Sequence, residues 1–223
     1  MAIEFPARLR KKWGKERVSI VGFGPSQRHF DGRGVVWAIN DVQRVHLLPK
    51  ADMIIAMDDW KRDYRIDPGY VGFISNMETP VCTSTAYQEW PCLFEYPIKP
   101  VVKMLGRPWL DNTWSYAMAL AIYLGFREIR LYGADFWTAD TEGMEIDAEN
   151  YAAVKYGKVP SWFRYYMPPC TTRRRMMEPG GECLSHLIGF ALGRGIDVFV
   201  PEGTALMDLD REQYLYGYEN QPM

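Results

Sequence analysis

"DNTWSYAMALAIYLGFREIRLYGAD", residues 111–135, is the stretch that decides the fold. Asp111 and Asn112 are capping residues, the following run is apolar, and Gly125 closes it, so 111–125 reads as a helix with a signal at both ends. Its apolar stripe is core packing. After a short turn, "EIRLYGAD" (128–135) reads as a strand. The pattern recurs near the end of the chain, where "GECLSHLIGFALG" (181–193) predicts a helix and "DVFV" (197–200) a strand. Further apolar runs stand at 18–22 "VSIVG", 35–40 "VVWAIN", 52–58 "DMIIAMD" and 71–75 "VGFIS". They are near-continuous, not alternating, as in strands covered on both faces. Helices feeding such strands predict an α/β domain with a doubly wound, mostly parallel sheet. Residues 137–180, rich in Tyr, Trp, Pro and charge, read as an irregular insertion or lid.

A chain of 223 residues suits one such domain spanning 1–223, and its net charge of −2 exerts no global pull on nucleic acid or anionic membrane. Basic residues do cluster, at Arg8, Arg10, Lys11, Lys12, Lys15 and Arg17 and again at Arg173, Arg174 and Arg175, as solvated runs commonly do. Cys82, Cys92, Cys170 and Cys183 form no CxxC pair and read as reduced thiols. The start of the sequence lacks an apolar signal core, and no run reaches the length of a membrane span. The expected compartment is the cytoplasm.

In doubly wound sheets ligands bind beyond the carboxyl ends of the strands. Gly22-Phe23-Gly24-Pro25-Ser26 follows the first strand, Asn40 ends the second, Asp58 and Asp59 follow the third, and Asp135-Phe136-Trp137 follows the 128–134 strand. The glycine loop is neither G-x-G-x-x-G nor a Walker loop. Two glycines without Cβ atoms let backbone N–H groups converge on an anion, and Ser26 can donate to a phosphate or cap the next segment. A plain tight turn has the same composition. Asn112 and Thr113 open a helix whose free N–H groups and partial positive charge suit a phosphate, although capping alone also accounts for them. Asp58 and Asp59 suit either helix capping or a Mg²⁺ held with phosphate oxygens.

Beyond these local readings, "NTWSYAMALAIYLGFREIRLYGADFW" resembles the helix–strand segment of the bacterial lipo-oligosaccharide sialyltransferases. "GFGPS" is similar to that family's Gly-Asn-Gly-Pro-Ser loop and "WAIN" to its strand ending in Asn. The wider Rossmann-like group, which includes archaeal 6-hydroxymethylpterin pyrophosphokinases, shares Gly-x-Gly-Pro-Ser and Gly-x-Asp. The likeness covers 17–60 and 111–137, with a looser C-terminal match ending "VPEGTALMD". It implies a Rossmann-like nucleotide-binding domain and a glycosyltransferase that moves a sugar from a nucleotide sugar to an acceptor hydroxyl, on a glycan or a modified DNA base. Under it, Gly22, Gly24, Pro25 and Ser26 line the nucleotide phosphates and Asn40 meets the phosphate or the donor sugar. Thr113 stands at the nucleotide-binding helix start with Asn112 as its cap, and Asp135 and Trp137 stand at the end of the motif strand. Phe23 departs from the family's asparagine, marking where donor identity changes. The family's catalytic histidine falls where this chain has Glu178 to Glu182, so Glu178, Glu182 or His186 is the expected base.

The transfer needs charge stabilisation of the leaving phosphate and a base for the acceptor hydroxyl. Loop amides and a helix dipole supply the first without metal. Two other readings stay open: a Mg²⁺-dependent pyrophosphokinase-type transferase using Asp58 and Asp59, and a nucleotide-binding module without catalysis. A phage or accessory enzyme, and a homo-oligomer, fit the sequence equally well.

Overall fold

A computed structural model describes residues 13, 16–40, 42–43, 48, 50–58, 72–73, 77–134, 170–201, 204 and 206, with backbone alone at Pro25 and at 170–179. Strand β1 (Arg17–Val21) runs into a 3-10 turn (Pro25–His29), then β2 (Val35–Ile39), β3 (Met53–Ile55), β4 (Val81–Thr83) and β5 (Leu93–Glu95). Helices α1 (Ile98–Leu105) and α2 (Thr113–Leu124) precede β6 (Glu128–Tyr132), and α3 (Cys170–Leu192) precedes β7 (Asp197–Phe199). The seven strands are ordered β5-β4-β3-β2-β1-β6-β7. Every pairing is parallel, with Val18 opposite Val35 and Arg17 opposite Glu128. The chain walks outward from β1 to β5 and then returns to the other side of β1 with β6. The order therefore reverses between β1 and β6, and a crevice for ligands is expected at their carboxyl ends. This is the Rossmann-like α/β sheet that the sequence predicts.

One core lies between the sheet and the three helices, joining Ile20, Trp37, Ile55 and Leu131 to Val101, Met118 and Leu184. Helix α2 is apolar nearly all round because it is flanked by α1 and α3 while facing the sheet, and Ala117 to Ile122 are all buried. The opposite face buries Val21, Ala38, Ile54, Leu93 and Tyr132 beneath Phe30, Phe73 and Trp90. Each large apolar side chain taken out of water contributes about 1.5–3 kcal/mol. Cys82, Cys92 and Cys183 are free thiols. Among the described residues, no helix is long and apolar enough to cross a membrane.

Several expected boundaries move. Helix α3 begins at Cys170 and not at 181, so the Glu178-Pro179-Gly180-Gly181 run lies inside a helix. That run is a poor helix former. Burial of Gly180, Leu184, Leu187 and Ala191, spaced by three or four, with Cys183 beside them, seats α3 on the core and offsets the cost. Gly72 and Phe73 are helical where the apolar run at 71–75 suggests a strand, and Phe73 packs on the second core. A short apolar run does not tell strand from buried helix. Most of the expected lid, 137–169, lies outside the described residues, as does the basic segment 8–12.

A charged cluster ties the chain after the 3-10 turn to the sheet. Glu128 accepts from Arg17 at 2.6 Å and from Arg130 at 2.5 Å, and Asp31 faces the same two guanidinium groups at 3.6 and 3.3 Å. Burial pushes the Glu128 carboxyl up, but hydrogen bonds from Arg130 and Arg17 outweigh it and hold the group below its ordinary range. A lowered carboxyl contributes stability above its unfolded pKa, about 4.3, and loses it as pH falls through the folded value. Glu128→Gln is expected to flatten the loss of Tm between about pH 5 and pH 3 relative to the parent. Parallel slopes in thermal melts would show that the cluster carries no acid sensitivity.

Candidate functional site at the β1–β6 crevice

The turn after β1 is bonded to the end of β6. Gly22 N–H donates to Tyr132 O at 2.8 Å, Gly24 N–H to Gly133 O at 3.1 Å, and Gly133 N–H to Ser26 Oγ at 2.8 Å. Two of the amides expected to receive a phosphate are thus engaged within the protein. The glycines are needed for close packing. Gly133 has φ +79°, and a Cβ there would lie 2.5 Å from Gly22 O. A Cβ on Gly22 would run into Cζ2 of Trp114, with Cη2 and Cε2 of that ring at 3.0 and 3.1 Å. Gly24 is extended, at φ −64°, which any residue adopts. Pro25 opens the 3-10 turn. Phe23 is half-buried against the second core beside Phe30.

On the helix side, Asn112 caps α2 through its Oδ1, which accepts from Ser115 N–H at 3.0 Å and Ser115 Oγ–H at 3.1 Å. The capping role read from the sequence is realised, and Thr113 forms the first helical residue, half-buried. Among the described residues no acceptor meets the N–H groups of Thr113 and Trp114. They are the donors that a helix start leaves free. Helix α2 precedes a parallel strand, so its start lies at the carboxyl edge of the sheet, and the Trp114–Gly22 contact joins that start to the turn.

Asn40 ends β2, the strand beside β1, and its N–H donates to Ile55 O at 2.8 Å. Its φ is +52°, the one left-handed non-glycine among the described residues. Its Oδ1 is buried with no hydrogen-bond partner among them. Strained backbone and an orphaned buried polar atom are each uncommon, and both gather at functional sites. Gln27, one residue past Ser26, is 5% exposed, and neither end of its amide has a partner among the described residues. A buried unpaired amide costs about 1–3 kcal/mol, so Gln27→Leu is expected to raise Tm in the absence of ligand. A fall in Tm would mean that the amide is satisfied.

Asp58 is exposed at the exit of β3, and its carbonyl accepts from Thr83 Oγ1 at 3.3 Å. Among the described residues no group of three acidic, Cys or His side chains is spaced for a metal. Asp59, Asp135 and Trp137 lie outside the described residues. The three candidate bases all fall on α3, whose Leu192 end leads to the amino end of β7. At a rise of about 1.5 Å per residue, Glu182 stands about 15 Å along the helix from that end and His186 about 9 Å. Glu182 is exposed, and the side chain of Glu178 is not described. His186 is exposed too, with its Nε2 3.1 Å from Arg107 Nη2 and its ring 5.8 Å from that of Trp109. The sequence alone points to neither Trp114 nor Gln27. Trp114 falls within the apolar stripe of α2, and nothing local marks Gln27 as buried.

No protein-family model matches the chain, and no curated protein matches it. The solved structures it is similar to include a sialyltransferase. CstII from Campylobacter jejuni, in complex with the substrate analogue cytidine-5'-monophosphate, is 18% identical over 64% of this chain and 77% of that one, with a TM-score of 0.37. The complex of CstII with CMP-3FNeuAc is 16% identical over 64% and 78%, at 0.39. CST-II with a trisaccharide acceptor and CMP is 15% identical over 83% and 80%, at 0.48. Likeness at these values transfers neither residue roles nor substrate.

Proposed function

We propose that the chain is a transferase acting on a nucleotide-activated donor, a glycosyltransferase that moves a sugar to an acceptor hydroxyl. The observation that carries this reading is Asn40: a strained residue with a buried, unpartnered Oδ1, on the strand beside the β1–β6 reversal. An orphaned acceptor oxygen calls for an O–H or N–H donor, and a sugar hydroxyl supplies one. The free N–H groups of Thr113 and Trp114 and the dipole of α2 lie at the carboxyl edge, where Trp114 meets Gly22, and suit the leaving phosphate. In the reaction, the bond from the anomeric carbon to the phosphate oxygen breaks and the acceptor oxygen bonds to that carbon. The leaving phosphate keeps the electron pair, and a base takes the acceptor's proton. Glu182, exposed on α3, is the base in this reading, with Glu178 one turn nearer the helix start and His186 one turn beyond as the alternatives. Ser26 holds Gly133 and so fixes the cradle's shape. Asp135 and Trp137, outside the described residues, follow Gly133-Ala134 in the sequence and are proposed to contact the donor.

A thermal-shift panel of CMP, UDP, GDP, ADP and ATP, with and without Mg²⁺, tests this reading. It includes CMP, the nucleotide present in CstII complexes. Ligand at about 100 times its Kd adds about 2.7 kcal/mol, so one nucleotide is expected to raise Tm clearly. A shift only with ATP and Mg²⁺, lost on Asp58→Ala, would favour the pyrophosphokinase-type reading. No shift with any of them contradicts the proposal. Binding without turnover of any nucleotide sugar would leave a nucleotide-binding module.

A further inference from the structure

We propose that Trp114 is a specificity-determining residue that contacts the ligand at the glycine turn, its indole N–H supplying the donor that the glycine amides do not. The inference rests on the nucleotide reading above. Three observations lead to it. The N–H groups of Gly22 and Gly24 are donated to Tyr132 O and Gly133 O, so the turn cannot offer them to a phosphate while β6 holds it. The space left by Gly22's missing Cβ is filled by the Trp114 ring, so a ligand coming to this turn meets an indole where the sequence suggests bare backbone. The ring atom Cε2, which is bonded to Nε1, is one of the three atoms in that contact, at 3.1 Å from the Cβ position.

Trp114 is only half-buried; its Nε1–H makes no hydrogen bond to a described residue and is not among the buried unpartnered atoms, so the group is open to solvent. An indole nitrogen can only donate, so its partner is an oxygen acceptor such as a phosphate oxygen of a nucleoside phosphate. The group is uncharged and rigidly held, because Trp114 is the second residue of α2 and its ring is wedged between the helix start and Gly22. Selection follows from shape as well as from the hydrogen bond. The ring removes the volume above Gly22, so a ligand that reaches the turn must fit beside it.

Titration calorimetry of the full chain with CMP, UDP, GDP and ADP, on the parent, Trp114→Phe and Gly22→Ala, tests the proposal. Phe keeps an aromatic ring in the contact and removes the N–H, and a Cβ on Gly22 pushes the indole off the turn. Both variants are expected to bind the parent's preferred nucleotide at least tenfold more weakly. A second measurement covers loss of fold: with ¹⁵N-Trp labelling, the indole signal absent from Trp114→Phe is Trp114's own, and in the parent it is expected to move downfield on binding. Unchanged affinity in a folded Trp114→Phe, or a Trp114 signal unmoved at saturation, overturns the proposal and leaves the nucleotide reading intact. If the parent binds no nucleotide, the functional reading fails and this inference with it.

Discussion

Gly133→Ala is expected to lower stability by about 3 kcal/mol or more, a fall in Tm of roughly 6–12 °C for a chain of this size, or to abolish folding. Gly133 sits at φ +79°, where a side chain alone costs about 1–2 kcal/mol. The added Cβ also meets three backbone atoms: Gly22 O at 2.5 Å, Gly22 C at 2.8 Å and Gly24 N at 3.0 Å. Backbone does not swing aside as a flexible side chain does. Relief requires parting the turn from β6, which breaks the bonds donated by Gly22 and Gly24 and the one that Ser26 Oγ accepts from Gly133. Gly106 is the control, because it has the same φ of +79° and nothing within 4 Å of where a Cβ would stand. Gly106→Ala is expected to cost only the left-handed strain, about 1–2 kcal/mol. Thermal melts of the two variants isolate the cost of the close approach. Equal losses would show that the turn and β6 are not in close contact.

Asn40→Gly is expected to cut nucleotide affinity or kcat/KM by about 10- to 100-fold while leaving stability unchanged or raised by about 1 kcal/mol. Glycine accepts the +52° φ without strain, and the substitution removes a buried oxygen that has no partner among the described residues. A residue kept for folding would show the reverse, lower Tm with binding preserved. The opposed signs make this a test of role, since a merely destabilised variant loses both. Calorimetry beside thermal unfolding reads the two quantities separately.

Local signals reach some of this molecule and not the rest. The α2–β6 unit is legible because its cap, its apolar run and Gly125 in a left-handed C-cap all point the same way. Strands β4 (VCT) and β5 (LFE) are not, because neither extends into a longer apolar run as the equally short β3 does. Helix α1 is hidden by Pro97 and Pro100. Pro97 precedes the helix and Pro100 falls in its first turn, where a missing N–H costs nothing. At the site, the composition of 22–26 indicates a special turn. What it cannot encode is where the turn's hydrogen bonds go, because Ser26 and Gly133 are 107 residues apart. The same holds for Trp114, whose position over Gly22 depends on how α2 docks on β1. Asn40 lies between these cases. Its place at a strand exit is readable, but its strain and its buried, unpartnered oxygen exist only once β2 is paired on both sides.

The crevice where the strand order reverses, between β1 and β6, is the proposed nucleotide site. A crystal structure of the full chain with the nucleotide that most raises its Tm tests this directly. The predicted result is density for the phosphate between Ser26 and the start of α2, with Asn40 Oδ1 accepting from a ligand hydroxyl. A nucleotide bound elsewhere on the chain, or bound in this crevice with Asn40 Oδ1 still unpartnered, would contradict the account.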